Sequence, residues 1–273
     1  MNLWQTALLV AAAVAATVGL FLFARRFAPP EGYFVDGDRA AGVFGVLATG
    51  FAVLLGFVIF LAFESYDTAR AGAQAEATLT IQQFETAQLF PRPVARRLGG
   101  ELICYGRAVV ALEWPSLVAG REPGFNPWGI PLFRTLQTAQ PTTSTEQAAY
   151  EKWLDQTSAR EQSRLDRVRA SGGAIPTPLW VLLLVAAALV FLYAFLFVDP
   201  REGRIPQAVI VGTITALLGT SLLVIRFLNH PYAAGSGGLR PAEMARVLAQ
   251  IDRASAALDA DPRVPCDAAG RPR

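Results

Sequence analysis

Four stretches of the chain are predominantly apolar, and polar sequence separates them. They run from Leu3 to Phe23, from Ala40 to Phe63, from Pro178 to Val198 and from Pro206 to Leu228. Each has about 20 residues or more, the length that a helix needs to cross the roughly 30 Å hydrocarbon core of a bilayer. The pattern therefore predicts an all-α, polytopic membrane protein with four transmembrane helices.

The polar sequence between the second and third apolar stretches is long enough to form a domain. It begins with a segment rich in Ala, Gln, Glu and Thr, which contains no proline before Pro91. We expect the second membrane helix to continue through it as one rod, at least to Gln83, because Gly72 costs only about 1 kcal/mol against alanine. Thr143 and Glu146 have the spacing of a capping box and predict the start of a further domain helix.

These elements divide the chain into four regions. Residues 1–63 hold transmembrane helices 1 and 2, 64–177 form a helical extramembrane domain inserted between helices 2 and 3, 178–228 form a transmembrane hairpin, and 229–273 form a C-terminal tail. Asp199 and Pro200 begin the tight connection of the hairpin. In the tail, Gly235 to Gly238 predict flexibility, and Pro241 to Leu258 predict a short amphipathic helix.

Composition and charge exclude several functions. The chain is 53% hydrophobic, and 17% of its residues are charged, against about 25% in an average soluble domain. The net charge of +2 gives no basic field that favours nucleic acid. His230 is the only histidine, so no metal site or catalytic triad has a convincing set of residues. The sequence therefore predicts no enzyme activity, no cofactor and no metal.

The second membrane helix carries the candidate pore or interface residues, which are Phe44, Phe51, Leu55, Glu64, Asp67 and Arg70. The three apolar side chains fit either a hydrophobic neck in a pore or a stripe that packs on other helices or faces lipid. In a symmetric oligomer, the two carboxylates would form rings where the helix leaves the bilayer, and the arginine would oppose them. The alternative is a solvated turn in which Asp67 pairs with Arg70.

Small residues recur at helical spacing on two of the transmembrane helices. Those with a predicted role in helix packing are Gly45, Ala48, Ala52, Gly56, Gly212 and Ala216. Such stripes let another helix backbone approach closely. Besides the lipid bilayer, the expected partners are therefore further copies of this chain or other membrane subunits.

Arginines near the spans bear on membrane orientation. The positive-inside rule places in the cytoplasm the two short loops that contain Arg25, Arg26, Arg39, Arg201 and Arg204. Residues 64–177 and both termini would then lie on the non-cytoplasmic side of a bacterial inner membrane. This orientation is opposed by four arginines that flank the third span on the domain side, namely Arg160, Arg164, Arg167 and Arg169.

Whether the two cysteines form a disulfide also depends on the compartment. Cys104 and Cys266 could pair only in an oxidising environment. Their separation in sequence does not show whether they meet, so the sequence leaves open whether they form a disulfide or stay as free thiols.

A series of short motifs points to a known family. They are Gly42-Val43-Phe44-Gly45-Val46, Leu55-Gly56-Phe57-Val58, Tyr66-Asp67-Thr68-Ala69-Arg70, Ala75-Glu76-Ala77, Tyr105, Glu113-Trp114-Pro115, Ile175-Pro176, Leu179-Trp180 and Asn229-His230-Pro231-Tyr232. In order and spacing they resemble the bestrophin-like bacterial membrane proteins of unknown function, over about residues 38–250. In that family, aspartate and arginine often stand where this chain has Asn229 and His230.

The resemblance implies four spans and a helical domain, and bestrophins themselves are pentameric anion channels whose domain is cytoplasmic. We therefore expect a bestrophin-like membrane protein that acts as a homo-oligomeric passive ion channel. The acidic Glu64 and Asp67 fit an anion pore poorly. The alternative function is a non-catalytic structural or accessory subunit of a larger membrane complex, which would associate with other chains rather than with copies of itself.

Overall fold

The computed structural model describes residues 3–29, 32–34, 36–197 and 202–273, and in these residues the regular elements are helices. The main helices are α1 (Leu3–Ala24), α2 (Gly37–Ala87), α3 (Arg92–Ala108), α4 (Trp114–Val118), α5 (Gly129–Gln137), α6 (Ser144–Arg169), α7 (Thr177–Leu196), α8 (Arg204–Leu228) and α9 (Ala242–Ala257). The helices α1, α2, α7 and α8 are long and apolar enough to cross a membrane. The four predicted spans are thereby confirmed.

The second span continues as one helix well beyond its apolar part. α2 has 51 residues, which at 1.5 Å each corresponds to about 75 Å. This confirms the predicted rod. Gly72 has a different role from the one expected, because a Cβ there would lie 2.7 Å from the carbonyl oxygen of Ser163 and 2.9 Å from the amide nitrogen of Arg167. The glycine lets α2 and α6 approach each other closely.

The chain forms two compact units. The first comprises Met1–Ser65 and Gly173–Asn229, and the second comprises Tyr66–Gly172 and His230–Arg273. The C-terminal residues therefore belong to the second unit, whereas the sequence suggested a separate tail. The connection at Asp199 and Pro200, which was expected to close a hairpin, lies outside the described residues.

In the first unit, α1 packs antiparallel against α8. Phe21 and Val211 are buried between these helices, and the Phe21 ring meets the Phe195 ring of α7 edge-on at 5.7 Å. At one end, the guanidinium of Arg25 donates a 3.0 Å hydrogen bond to the side-chain oxygen of Gln207. Between membrane helices such contacts stabilise through van der Waals packing and hydrogen bonds, since lipid tails are as apolar as the side chains.

In the second unit, the C-terminal residues lie directly on α3. A disulfide joins Cys104 to Cys266, and the indole nitrogen of Trp128 donates to the carbonyl oxygen of Gly270 at 2.6 Å. Two glycines make this approach possible: a Cβ on Gly100 would lie 1.7 Å from the carbonyl oxygen of Arg263, and Gly270 itself has a φ of +78°. The amphipathic helix expected in the tail is confirmed as α9, whose apolar face is buried on the same unit.

Two local features of the second unit test the sequence rules for helix ends. The capping box at Thr143 and Glu146 is present at the start of α6, as predicted. Proline often ends a helix, yet at Pro115 the chain continues from α3 through a π-helical turn, Val109–Glu113, directly into α4. A π turn shifts the backbone pairing by one residue, and this removes the clash that proline makes with a regular helix. The same turn directs Glu113 into the core.

Candidate functional site

The membrane half of α2 has two different faces. One face is buried within the protomer and includes Phe51, which is 6% exposed, and Leu55. On the same side, Phe44 is half-buried, and its ring centroid lies 6.4 Å from that of Tyr193 and 5.6 Å from that of Phe197. The three apolar candidates therefore pack inside the protomer, which agrees with the packing alternative left open by the sequence.

The opposite face of α2 is lined by small residues and is uncovered. A Cβ placed on Gly42, Gly45 or Gly56 would have no neighbour within 4 Å. Thr49 is exposed beside them, and Phe60 is 61% exposed. These five positions fall within about 60° of one another around the helix axis at roughly 100° per residue. We call them the open face of α2.

The other residues predicted to pack helices differ in whether they are covered within the protomer or exposed. On α2, Ala48 is half-buried and Ala52 is exposed. On α8, a Cβ on Gly212 would be 3.5 Å from the side chains of Val14 and Val18, so this glycine lies against α1. Ala216 lines a groove between the same two helices.

The charged candidates lie where α2 passes from the first unit to the second. Glu64, Asp67 and Arg70 are all exposed. Asp67 continues the direction of the open face, with Glu64 next to it. In the part of the chain that the structure describes, no ion pair joins Asp67 to Arg70.

A second set of charges is buried in the core of the second unit, and sequence analysis missed it. We call Glu76, Glu113, Arg160, Arg164 and Arg167 the charged core. Arg167 donates to Glu76 at 3.0 Å and to Glu113 at 2.7 Å. Arg164 donates to Glu113 at 3.2 Å, and Arg160 donates to the side-chain oxygen of Gln83 at 2.6 Å. The three arginines are therefore structural residues of the domain core.

Aromatic rings lie against the charged core, and burial and neighbouring charges shift the pKa values of Tyr105 and Arg167 there. Burial, and then the charge of Glu76, raise the pKa of Tyr105 well above its ordinary value, and the Tyr105 hydroxyl donates to Glu76 at 2.7 Å. Burial alone would lower the pKa of Arg167, but the two carboxylates beside it raise that pKa above its usual range. The Arg160 guanidinium lies 4.4 Å from the centre of the Tyr105 ring. The hydrogen bonds of the charged core hold α2, α6 and the π turn together.

The spacing of the three arginines was the feature of the sequence that could have revealed the charged core. Positions 160, 164 and 167 share one face of a helix, and glutamates occur in the two other elements that meet it. A basic stripe on a helix is usually solvated, so the sequence alone favoured an exposed face. Among the residues that the structure describes, no group of three or more His, Cys, Asp and Glu side chains could hold a metal ion.

Comparison with known proteins identifies the family to which this chain belongs. The model of the Bestrophin-like domain matches residues 11–243. The chain therefore belongs to the Bestrophin-like family, as the sequence motifs indicated. No curated protein matches the sequence.

Solved structures agree with this assignment at the level of the fold. A variant of a bacterial bestrophin homologue from Klebsiella pneumoniae aligns with a TM-score of 0.65 and 11% identity, covering 90% of this chain and 99% of the other. A second variant of the Klebsiella pneumoniae homologue gives 0.58 and 12%, covering 92% and 98%. A structure described only as a membrane protein gives 0.60 and 12%, covering 89% and 97%. At these identities the similarity establishes the fold and leaves the chemistry to be argued from this chain.

Proposed function

We propose that the protein forms a homo-oligomeric passive ion channel, in which the open face of α2 from each subunit surrounds a central pore. The observation that carries this proposal is the asymmetry of α2: its aromatic face is already used inside the protomer, whereas none of the described residues lies within 4 Å of a Cβ on the glycines of its open face. Membership of the Bestrophin-like family supports it. The pore lining thus differs from the stripe of Phe44, Phe51 and Leu55 that the sequence first suggested.

Along the open face, the side chains suit a pore with one apolar constriction. Gly42, Gly45 and Gly56 leave room for water, and Thr49 offers a hydroxyl. Phe60 is the bulkiest of the five, so a ring of its side chains would form the narrowest part and would gate by dewetting. Beyond Phe60, rings of Glu64 and Asp67 would give the mouth a negative field, which favours cations.

We also propose that the second unit lies on the non-cytoplasmic side of the inner membrane. The disulfide between Cys104 and Cys266 requires an oxidising compartment. Arg25, Arg26, Arg39 and Arg204 favour cytoplasmic short loops; Arg201 lies outside the described residues. Three of the four opposing arginines, at positions 160, 164 and 167, are buried in the charged core, so they do not contribute to the charge at the membrane surface. Arg169 is exposed, and it lies 3.7 Å from the carboxylate of Asp166.

The orientation can be tested with single cysteines and an impermeant maleimide, because the two native cysteines are paired. Thr145→Cys, at the exposed start of α6, should be labelled in spheroplasts whose inner membrane is intact. Tyr33→Cys, in the loop after α1, should be labelled only after the membrane is opened. The reverse pattern would overturn this orientation.

The channel is tested by flux through liposomes that contain only the purified protein. Phe60→Ala should raise ion flux several-fold, because it removes the constriction. Phe51→Ala is the matched control: the same change on the buried face should lower stability without increasing flux. An increase for Phe51→Ala and none for Phe60→Ala would contradict the proposed lining.

The accessory-subunit alternative uses the same open face differently. In that case the face would pack against a helix of another protein. Purified protein would then be monomeric by native mass, would be silent in liposomes, and would lose a specific partner when Gly45 or Gly56 is changed to leucine. Self-association without any partner would exclude this alternative.

A further inference from the structure

A groove runs along the first unit between α1 and α8, on residues that the proposed pore does not use. Its volume is about 520 Å³. Gly212 and Ala216 form its floor, because side chains this small leave a depression on α8. Val14 and Val18 of α1 form one wall, and the Cβ position of Gly212 lies 3.5 Å from both.

The length of the groove corresponds to one leaflet of a bilayer. It extends from Ala216 to Arg204 on α8, a distance of twelve residues or about 18 Å. Half of a hydrocarbon core measures roughly 15 Å. A transmembrane helix of another subunit would need a contact surface across the whole core, so the groove suits a ligand that occupies one leaflet.

The interior of the groove is apolar along this length. Thr213 is the only lining residue with a side-chain hydroxyl, and that hydroxyl donates to the carbonyl oxygen of Val209 at 2.8 Å. The hydroxyl is thus satisfied within the helix. The groove therefore offers van der Waals contact to a hydrocarbon chain and no competing polar site.

The mouth of the groove is positively charged. Arg204 lines it and is exposed. Leu22 lines the same end, and the exposed Arg26 follows four residues later, in the short 3₁₀ helix Arg25–Phe27. Arg25 is engaged with Gln207 and with the carbonyl oxygen of Glu202. An arginine in the lining of an apolar groove, with a second exposed arginine close in sequence to the lining residue Leu22, complements a ligand with an anionic head and an apolar tail.

We propose that the groove between α1 and α8 binds an anionic glycerophospholipid. One acyl chain lies along Gly212 and Ala216, and the phosphate pairs with Arg204 and Arg26. Arginine is suited to this contact because its planar guanidinium presents two parallel donors to phosphate oxygens. Basic pockets between transmembrane helices bind anionic headgroups in the same way.

The test uses native mass spectrometry of the full chain, purified in mild detergent and titrated with phosphatidylglycerol or with phosphatidylcholine of identical acyl chains. The unaltered protein should bind phosphatidylglycerol at least tenfold more tightly than phosphatidylcholine. The double variant Arg26→Gln/Arg204→Gln should lose that preference. Arg39→Gln, which removes an exposed arginine outside the groove, should retain it. Equal binding of the two lipids by the unaltered protein, or equal loss in both variants, would overturn the proposal.

A second pair of variants tests the acyl-chain part of the site. Ala216→Leu fills the floor and should weaken binding of both lipids. Ala188→Leu makes the same change on α7, at an exposed position outside the groove, and should leave binding unchanged. If Ile205→Cys instead forms disulfide-linked dimers in isolated membranes treated with an oxidant and bound lipid is absent, a second copy of the chain covers the groove and the proposal fails.

Discussion

Replacing Glu76 with glutamine should destabilise the second unit strongly. Glu76 accepts hydrogen bonds from Arg167 and from the Tyr105 hydroxyl, and it is completely buried. Glutamine has nearly the same volume, so the substitution removes charge without opening a cavity. It leaves Arg167 with Glu113 as its remaining carboxylate, and Glu113 is already shared with Arg164.

The expected magnitude follows from the burial of both partners. Removing one member of a buried ion pair costs about 3–5 kcal/mol, because the other charge stays buried without compensation. For a unit of about 150 residues, 1 kcal/mol corresponds to roughly 2–4 °C in melting temperature. The melting temperature of Glu76→Gln should therefore fall by about 6–20 °C.

The assay is thermal unfolding of purified protein followed by tryptophan fluorescence, since Trp114, Trp128 and Trp153 are buried in the second unit. Glu243→Gln is the matched control, because its pair with Arg246 lies on the surface. Surface pairs contribute about 0–1 kcal/mol, so the control should shift by a few degrees at most. Equal shifts for the two variants would refute the claim that the charged core holds the unit together.

Three further predictions concern the second unit. Burial raises the pKa of Glu101. A carboxyl group with a raised pKa contributes most favourably to folding stability at low pH, and that contribution is lost as the pH rises through the pKa of the folded state. Glu101→Gln should therefore raise the melting temperature more at about pH 8 than at about pH 4. Gly72→Ala should destabilise the protein by about 1–3 kcal/mol through overpacking, whereas Gly19→Ala, with open space at its Cβ, should not. Equal melting temperatures for the two variants would contradict the close approach of α2 and α6. Mass spectrometry after alkylation should find no free thiol until reductant is added, and Cys266→Ser should lower stability by about 2–5 kcal/mol; labelling of Cys104 in the unreduced protein would contradict the pairing.

The helices and their lengths could be predicted because they depend on local sequence. Long apolar stretches with no charge in the middle specify membrane spans, the absence of proline before Pro91 specifies the rod, and Thr143 with Glu146 specifies a helix start. Each signal involves residues that are close in sequence. Chemistry between neighbours decides these features, so they can be recognised without the fold.

The faces of those helices could not be predicted, because they depend on what packs against them. In α2 the aromatic stripe and the glycine stripe are both apolar, and hydrophobicity cannot show which one lies inside the protomer. The same applies to Arg164 and Arg167, whose carboxylate partners lie more than 50 residues away along the chain, and to Arg160, whose partner Gln83 is 77 residues away. The disulfide joins positions separated by 162 residues, and spacing alone could not reveal that contact.

The central claim is that the open face of α2 lines a pore, and it is tested most directly by thiol modification during current recording. Thr49→Cys places a thiol on the open face, and Phe51→Cys places one on the buried face two residues away. The native cysteines are paired and stay silent. A charged, water-soluble thiosulfonate should change the current through Thr49→Cys channels within seconds and should leave Phe51→Cys channels unaffected. Modification of Phe51→Cys channels, with Thr49→Cys channels unchanged, would contradict the account.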